Sequence, residues 1–282
     1  MLSILRFSYF CCMISFPNAK INIGLRITGK RPDGYHDLET VFFPVGWSDA
    51  LEIASSKELS FSSSGLEIDA PSESNLVMKA YRLLSNDFNL PPLRIHLHKQ
   101  IPFGAGLGGG SADGAFMLRM LNKTFNLDIS QEKMIEYAAQ LGSDCPFFLV
   151  NRPVFATGRG EVMSAIDVSL KGLSLFMVKP VIEVSTANAF RHVVPQQADI
   201  SLRDLIQLPV TEWRRNIFNQ FETSVFLQYP EIEAIKNQFY RLGAIYASMS
   251  GSGSCVFGLF VELPEKIRQF FPPIYQVFSQ QI

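Results

Sequence analysis

The residues most able to do chemistry are five glycines between positions 104 and 110, followed directly by Ser111 and a helical pattern. Without a Cβ, glycine lets a ligand approach backbone amides, and a helix N-terminus adds partial positive charge, so the arrangement favours phosphate. The spacing Gly104-x-Gly106-x-x-Gly109 fits both the dinucleotide fingerprint and the glycine loop of protein kinases. A P-loop is excluded, because Gly110 stands where a lysine must precede Ser111. A dinucleotide fold needs a parallel strand after the helix, ending in an acidic residue about 20 positions beyond the glycines. Here a second helical pattern follows instead. The V-A-I-K, H-R-D and D-F-G strings of protein kinases do not occur. The structural alternative is a flexible loop, but flexibility alone does not require so many glycines at a helix start.

The elements around the loop follow from periodicity. Residues 20–28 alternate as a strand, and Arg31-Pro-Asp-Gly-Tyr-His36 carries a tight-turn signature. Residues 40–45, 50–54 and, weakly, 59–68 continue the β pattern. A helix is expected from Ser74 or Asn75 to the 86–92 stretch, then a half-buried strand on Leu93, Ile95 and Leu97, the glycine loop, and an amphipathic helix. Ser130 caps a further helix through Leu141, closed by Gly142. The pattern loosens over 152–160 and resumes as a strand at 173–178, which puts a domain boundary near 160. Helices are expected at 187–194, 213–227 and 231–242, with a strand at 244–249. Interleaved strands and helices make the fold class α+β.

Composition restricts the function classes. The 282 residues are 47% hydrophobic and 18% charged, with 24 Phe, which places the chain among globular proteins large enough for two cores. A net charge of −1 provides no global field for nucleic acid or anionic lipid, so any phosphate must be held locally. The cysteines Cys11, Cys12, Cys145 and Cys255 form no CxxC pair or disulfide framework, in keeping with a reducing, cytoplasmic setting. The apolar start is too short to span a bilayer and lacks signal-peptide features, so no membrane partner is expected. Residues 1–12 read as an extra arm or as the product of an upstream start codon, with Met13 just before the first strand. His96 and His98 share a strand face and read as a solvated face rather than a metal pair.

The string Pro102-Phe-Gly-Ala-Gly-Leu-Gly-Gly-Gly-Ser-Ala112 resembles the central motif of the GHMP kinases. Pro17-Asn-Ala-Lys-Ile-Asn22, Arg31-Pro-Asp-Gly-Tyr-His36, Gly142-Ser-Asp-Cys-Pro-Phe147 and Ser248-Met-Ser-Gly-Ser-Gly253 extend the resemblance over nearly the whole chain. The triple glycine and the Tyr35-His36 loop narrow it to the members that phosphorylate 4-diphosphocytidyl-2-C-methyl-D-erythritol. The resemblance implies a two-domain GHMP kinase fold with an active site between the domains. Residues 13–160 would form the N-terminal, ribosomal-protein-S5-like ATP-binding domain, and residues 161–282 a ferredoxin-like C-terminal domain. It implies ATP and Mg²⁺ as cofactors, the cytidyl compound as small-molecule substrate, no nucleic acid or membrane partner, and a monomer or weak homodimer.

Site residues follow from the same resemblance. Pro102, Phe103, Gly104, Ala105, Gly106, Leu107, Gly108, Gly109, Gly110, Ser111 and Ala112 would cradle the nucleotide, with Lys99 near the adenine and Ser111 by the phosphates or Mg²⁺. No direct metal ligand is assigned. Asp144 would be the general base and Lys20 its neighbouring cation, keeping the carboxylate ionised and stabilising an alkoxide. Outside the resemblance, Asp144 reads as a helix cap before Pro146 and Lys20 as a strand-edge charge. Tyr35 and Phe190 would sandwich the cytosine, with His36 on the base edge, and Asn22 and Thr186 would meet the methylerythritol or its diphosphate. Stacking alone does not discriminate between bases, so His36 must. The structural alternatives are turn packing for Tyr35 and a core helix position for Phe190. Gly114, inside the first turn of the expected helix, costs about 1 kcal/mol against Ala and is, with Asp113, a departure from the family pattern.

Overall fold

The computed structural model describes residues 12–68, 70–191, 193–195 and 198–282. In chain order it forms β1 (Cys12–Ser15), β2 (Asn18–Lys30), β3 (His36–Ser48), β4 (Ala50–Ser55), β5 (Ser60–Gly65), α1 (Leu76–Asp87), β6 (Leu93–Lys99), α2 (Gly109–Phe125), α3 (Gln131–Leu141) and α4 (Cys145–Val150). It continues with β7 (Val154–Thr157), β8 (Val162–Ala165), β9 (Ser174–Lys179), α5 (Thr186–Phe190), α6 (Leu202–Leu205), α7 (Val210–Asn216), α8 (Phe221–Gln228), α9 (Pro230–Arg241), β10 (Tyr246–Met249), β11 (Val256–Phe260) and β12 (Gln276–Gln281). Apart from Cys12, which opens β1 opposite Ala54, the expected N-terminal arm lies outside the described residues.

The chain forms two compact units. The first takes residues up to Pro17, Ser48–Ile101 and Gly110–Leu149. Its sheet has the order β1-β4-β6-β5, with β5 parallel to β6 and the other pairs antiparallel. The expected alternation on β6 is realised: Leu93, Ile95 and Leu97 are fully buried. Asn75 caps α1 by accepting from the Val77 amide at 2.9 Å, and Ser130 caps α3 by accepting from the Lys133 amide at 3.3 Å. His96 and His98 meet the hydroxyls of Ser62 and Ser64 across the β5–β6 pair, at 2.9 Å each. The described residues hold no His, Cys, Asp or Glu cluster fit for a metal ion.

The second unit comprises Asn18–Trp47, Pro102–Gly109 and Val150–Ile282. It holds two sheets, β2-β3-β7-β8 and the antiparallel β10-β11-β9-β12. Much of the phenylalanine goes into its core, where Phe239 meets Phe176 and Phe260 edge-on. The loosened stretch over 152–160 contains β7, which β8 follows, with Thr40 on β3 opposite Ala156 on β7. The helix expected over 213–227 is two helices, α7 and α8. Between them the backbone turns to β2, with Leu25 N–H donating to Phe218 O at 3.1 Å and Gln220 N–H to Leu25 O at 2.8 Å. The helix expected over 187–194 is the short α5, within whose expected span His192 lies outside the described residues. No helix among the described residues is long and apolar enough to cross a membrane.

Candidate active site

The glycine loop is fastened by its carbonyls. Gly104 O accepts from Ser254 N–H at 3.3 Å, Ala105 O from Cys255 N–H at 3.2 Å, Gly106 O from the Ser250 hydroxyl at 2.9 Å, and Leu107 O from Lys20 N–H at 2.9 Å. Gly104, Gly106 and Gly108 have φ of 55°, 72° and 70°, in the left-handed region. A Cβ on Gly106 would stand 1.9 Å from Ser250 O, so no other residue fits there. On Gly104 or Gly110 a Cβ would meet nothing within 4 Å, which marks an open side where a ligand can approach the backbone. Ala105, Leu107 and Ala112 point into the core, Pro102 is buried and Phe103 is partly exposed, so most of this stretch can serve a ligand only through its main chain. Ser111 is half-buried in the first turn of α2, and burial pushes the Cys145 thiol up to about 11.

On β2, Lys20 and Asn22 share one face, as their two-residue spacing requires. The Lys20 ammonium donates to Asn22 Oδ1 at 2.6 Å and lies 4.8 Å from the centre of the Phe42 ring. Asn22 Nδ2 donates to Thr40 Oγ1 at 2.9 Å, and that hydroxyl donates to Gly24 O at 2.6 Å. The Asn22 amide reaches Ser250 Oγ at 3.2 Å, the same hydroxyl that holds Gly106. Lys20 and Asn22 are thus joined to the glycine loop through Ser250. Thr40 and Ser250 belong to this network, and neither is among the site residues expected from the sequence.

The expected acceptor-side residues also belong to the second unit. Tyr35 exposes its ring, which carries the Arg159 guanidinium 4.4 Å from its centroid. His36 stacks on Phe190 at 4.8 Å between ring centroids, and Phe221 meets Phe190 edge-on at 4.7 Å. One face of Phe190, expected to take a base, therefore carries the His36 imidazole. The Thr186 hydroxyl lies 3.2 Å from that of Ser252.

Lys99 and Asp144 belong to the first unit. Lys99 is 1% exposed, and its ammonium bridges the carboxylates of Asp49 and Asp113, the latter at 2.7 Å. Asp49 also accepts from the amides of Gln100 and Ile101, at 2.6 and 2.8 Å. This ammonium ties together the segments that carry the two carboxylates. Asp144 is half-buried immediately before α4, and its carbonyl accepts from Phe147 N–H at 3.2 Å.

Comparison with known proteins identifies the family. Residues 75–152 match the GHMP kinases N terminal domain and residues 202–272 the GHMP kinases C terminal domain. A Bacteroides fragilis protein named 4-diphosphocytidyl-2-C-methyl-D-erythritol kinase is 58% identical over 88% of this chain and 92% of its own length. A Cytophaga hutchinsonii protein of the same name is 47% identical over 91% and 96%. The crystal structure of a 4-(cytidine 5'-diphospho)-2C-methyl-D-erythritol kinase superposes with a TM-score of 0.81 at 29% identity, covering 95% of this chain and 98% of the other. The Methanococcus jannaschii mevalonate kinase shares the fold, with a TM-score of 0.66 at 14% identity over 98% and 99%. With both domains matched and close relatives covered almost end to end, the chain belongs to the GHMP kinase family of small-molecule kinases.

Proposed function

We propose that the protein transfers the γ-phosphoryl group of ATP to the 2-hydroxyl of 4-diphosphocytidyl-2-C-methyl-D-erythritol, a step of the non-mevalonate route to isoprenoid precursors, in the cytoplasm. The observation that carries this reading is the pairing of the fastened glycine loop with the Lys20–Asn22–Thr40 row, supported by relatives of that activity at 47–58% identity. Phosphoryl transfer asks little covalent work of a protein, so catalysis rests on alignment and charge neutralisation.

In the proposed mechanism, residues 102–112 cradle the phosphates through backbone amides, with Ser111 beside them. Mg²⁺ bound with the nucleotide would neutralise charge on the transferred phosphoryl group, with Ser111 as the residue expected beside the phosphates or the metal. Asp144 accepts the proton of the acceptor hydroxyl, whose oxygen bonds to the γ-phosphorus as the bond to the β-phosphate oxygen breaks and ADP leaves. Lys20 stabilises the developing negative charge. Tyr35, His36 and Phe190 bind the cytosine, and Asn22 and Thr186 the polar remainder of the substrate. The proposed division into domains at 13–160 and 161–282 rests on the two family matches, which fall on either side of residue 160, whereas the compact units group 18–47 and 102–109 with 150–282.

The test is turnover with Mg²⁺-ATP and the cytidyl acceptor, following ADP release and phosphate on the 2-hydroxyl, with mevalonate and homoserine as controls. Selective turnover of the cytidyl compound is expected. Equal or better turnover of a control would overturn the substrate assignment.

A further inference from the structure

Residues 217–220, read from sequence as the middle of a helix, break it, and the break leaves two buried polar side chains beside the Ser248–Gly253 turn. Asn219 is 1% exposed and its amide nitrogen donates to Met249 O at 2.8 Å and Gly251 O at 2.7 Å. Its amide oxygen accepts from Phe221 N–H at 3.0 Å, so every polar atom of this side chain is used. Glu222, one residue into α8, accepts from Met249 N–H at 2.8 Å and from the Ser248 hydroxyl at 3.2 Å through one oxygen. Its other oxygen pairs with Lys236 of α9 at 2.5 Å. Two side chains thus bond the main chain of Met249 from both its N–H and its C=O side. Met249 precedes Ser250, whose hydroxyl bonds Gly106 O and receives the Asn22 amide, and whose carbonyl leaves room only for glycine at 106.

We infer that Asn219 and Glu222 are positioning residues for the nucleotide: they fix the Ser248–Gly253 turn, and the turn fixes the glycine loop at Gly106. Neither side chain touches the loop itself, so the effect passes through the backbone of Met249 and Gly251 and the hydroxyl of Ser250. A misplacement of about 1 Å in a positioning element can lower activity 10²-fold even when its source is remote from the chemistry. The inference rests on the reading of residues 102–112 as the nucleotide cradle. For Glu222 the essential feature is an oxygen acceptor at this place, not its charge, because the charge is directed toward Lys236 and away from Met249.

The experiment is steady-state kinetics on the full chain with ATP and the acceptor varied separately, alongside thermal melting of each variant. Asn219→Ala and Glu222→Ala should each raise the KM for ATP about five- to tenfold. The pair Glu222→Gln with Lys236→Met keeps the acceptor oxygen without stranding a lysine, and should return the KM for ATP to within about twofold of wild type. Ser224→Ala is the control: it removes a 2.9 Å bond from the same helix to Ala189 O and does not reach the Ser248–Gly253 turn, so it should lower the melting temperature without changing the KM for ATP. If Asn219→Ala does not fold, Glu222→Ala and the double variant carry the same comparison. An unchanged KM for ATP in Glu222→Ala, or an equal rise in Ser224→Ala, would overturn the inference. Gly106→Ala separates the two layers: if it leaves the KM for ATP unchanged, the cradle reading fails as well; if it raises that KM while the Asn219 and Glu222 variants do not, only the positioning inference fails.

Discussion

Lys20 and Lys99 are both buried, at 4% and 1% exposure, and both stand on strands. Lys20 donates to a neutral amide and lies over an aromatic ring, in a row of polar side chains that continues through Asn22 to Thr40. Lys99 bridges two carboxylates that come from the turn before β4 and the first turn of α2. The second arrangement ties three segments of the first unit together, as a framework does. The first aligns donors and acceptors along one strand face beside the fastened glycine loop, as a site does. Burial of a lysine therefore says little about its role until the chemistry of its partners is known.

The strongest way to break this contrast is to remove each side separately. Lys20→Met, like Asp144→Ala for the proposed base, should lower kcat by roughly 10²–10⁴, the usual worth of a positioned base or charge-stabilising group, while the protein still folds. Rapid-quench or coupled ADP assays measure this; wild-type turnover in either variant would remove that residue from the mechanism. Lys99→Met should do the opposite. It leaves the Asp49 and Asp113 carboxylates facing each other in the core, and breaking a buried ion pair costs about 3–5 kcal/mol of stability. Urea unfolding should register that loss, with the kcat of the remaining folded protein little changed. Were kcat to collapse instead, with stability intact, Lys99 would belong to the site after all.

Much of the contrast was legible in the sequence, but unevenly. The two-residue spacing of Lys20 and Asn22 put them on one strand face, and five glycines before a helix marked the loop, because both signals are local. The partners of Lys99 are not local. Asp49 lies fifty positions upstream, so no periodicity announces the pair, and a lysine just ahead of a phosphate loop invites a ligand role. The helix expected over 213–227 failed for a similar reason: Phe218 and Gln220 spend their backbone groups on β2, a tertiary demand that overrides helical propensity. β7 and β8 were hidden by the turn residues between them. Gly114 looked like a weak point in α2, yet a Cβ there would meet that of Leu76 at 3.1 Å, so the small residue serves the approach of α1.

The smallest expected effect tests the framework side alone, through pH. Burial pushes the Asp113 carboxyl up to about 8, partly opposed by the Lys99 charge and reinforced by the Asp49 carboxylate. Its Oδ1 makes no hydrogen bond, so the ionised form has little to compensate its desolvation. A carboxyl raised above its unfolded value binds its proton more tightly in the folded state. Its contribution to stability is complete below the unfolded value, near 3.8, and is lost as pH rises through about 8. Between pH 6 and 8 the wild-type protein should therefore lose stability relative to Asp113→Asn, by up to about 1.4 kcal/mol per pH unit for one proton. The amide keeps the shape but does not titrate, so urea unfolding of the pair across pH 6–9 isolates this one group. Parallel curves would mean that Asp113 is ionised throughout this range and that Lys99 offsets both carboxylates, which would make the triad a stronger clamp than the burial of Asp113 implies.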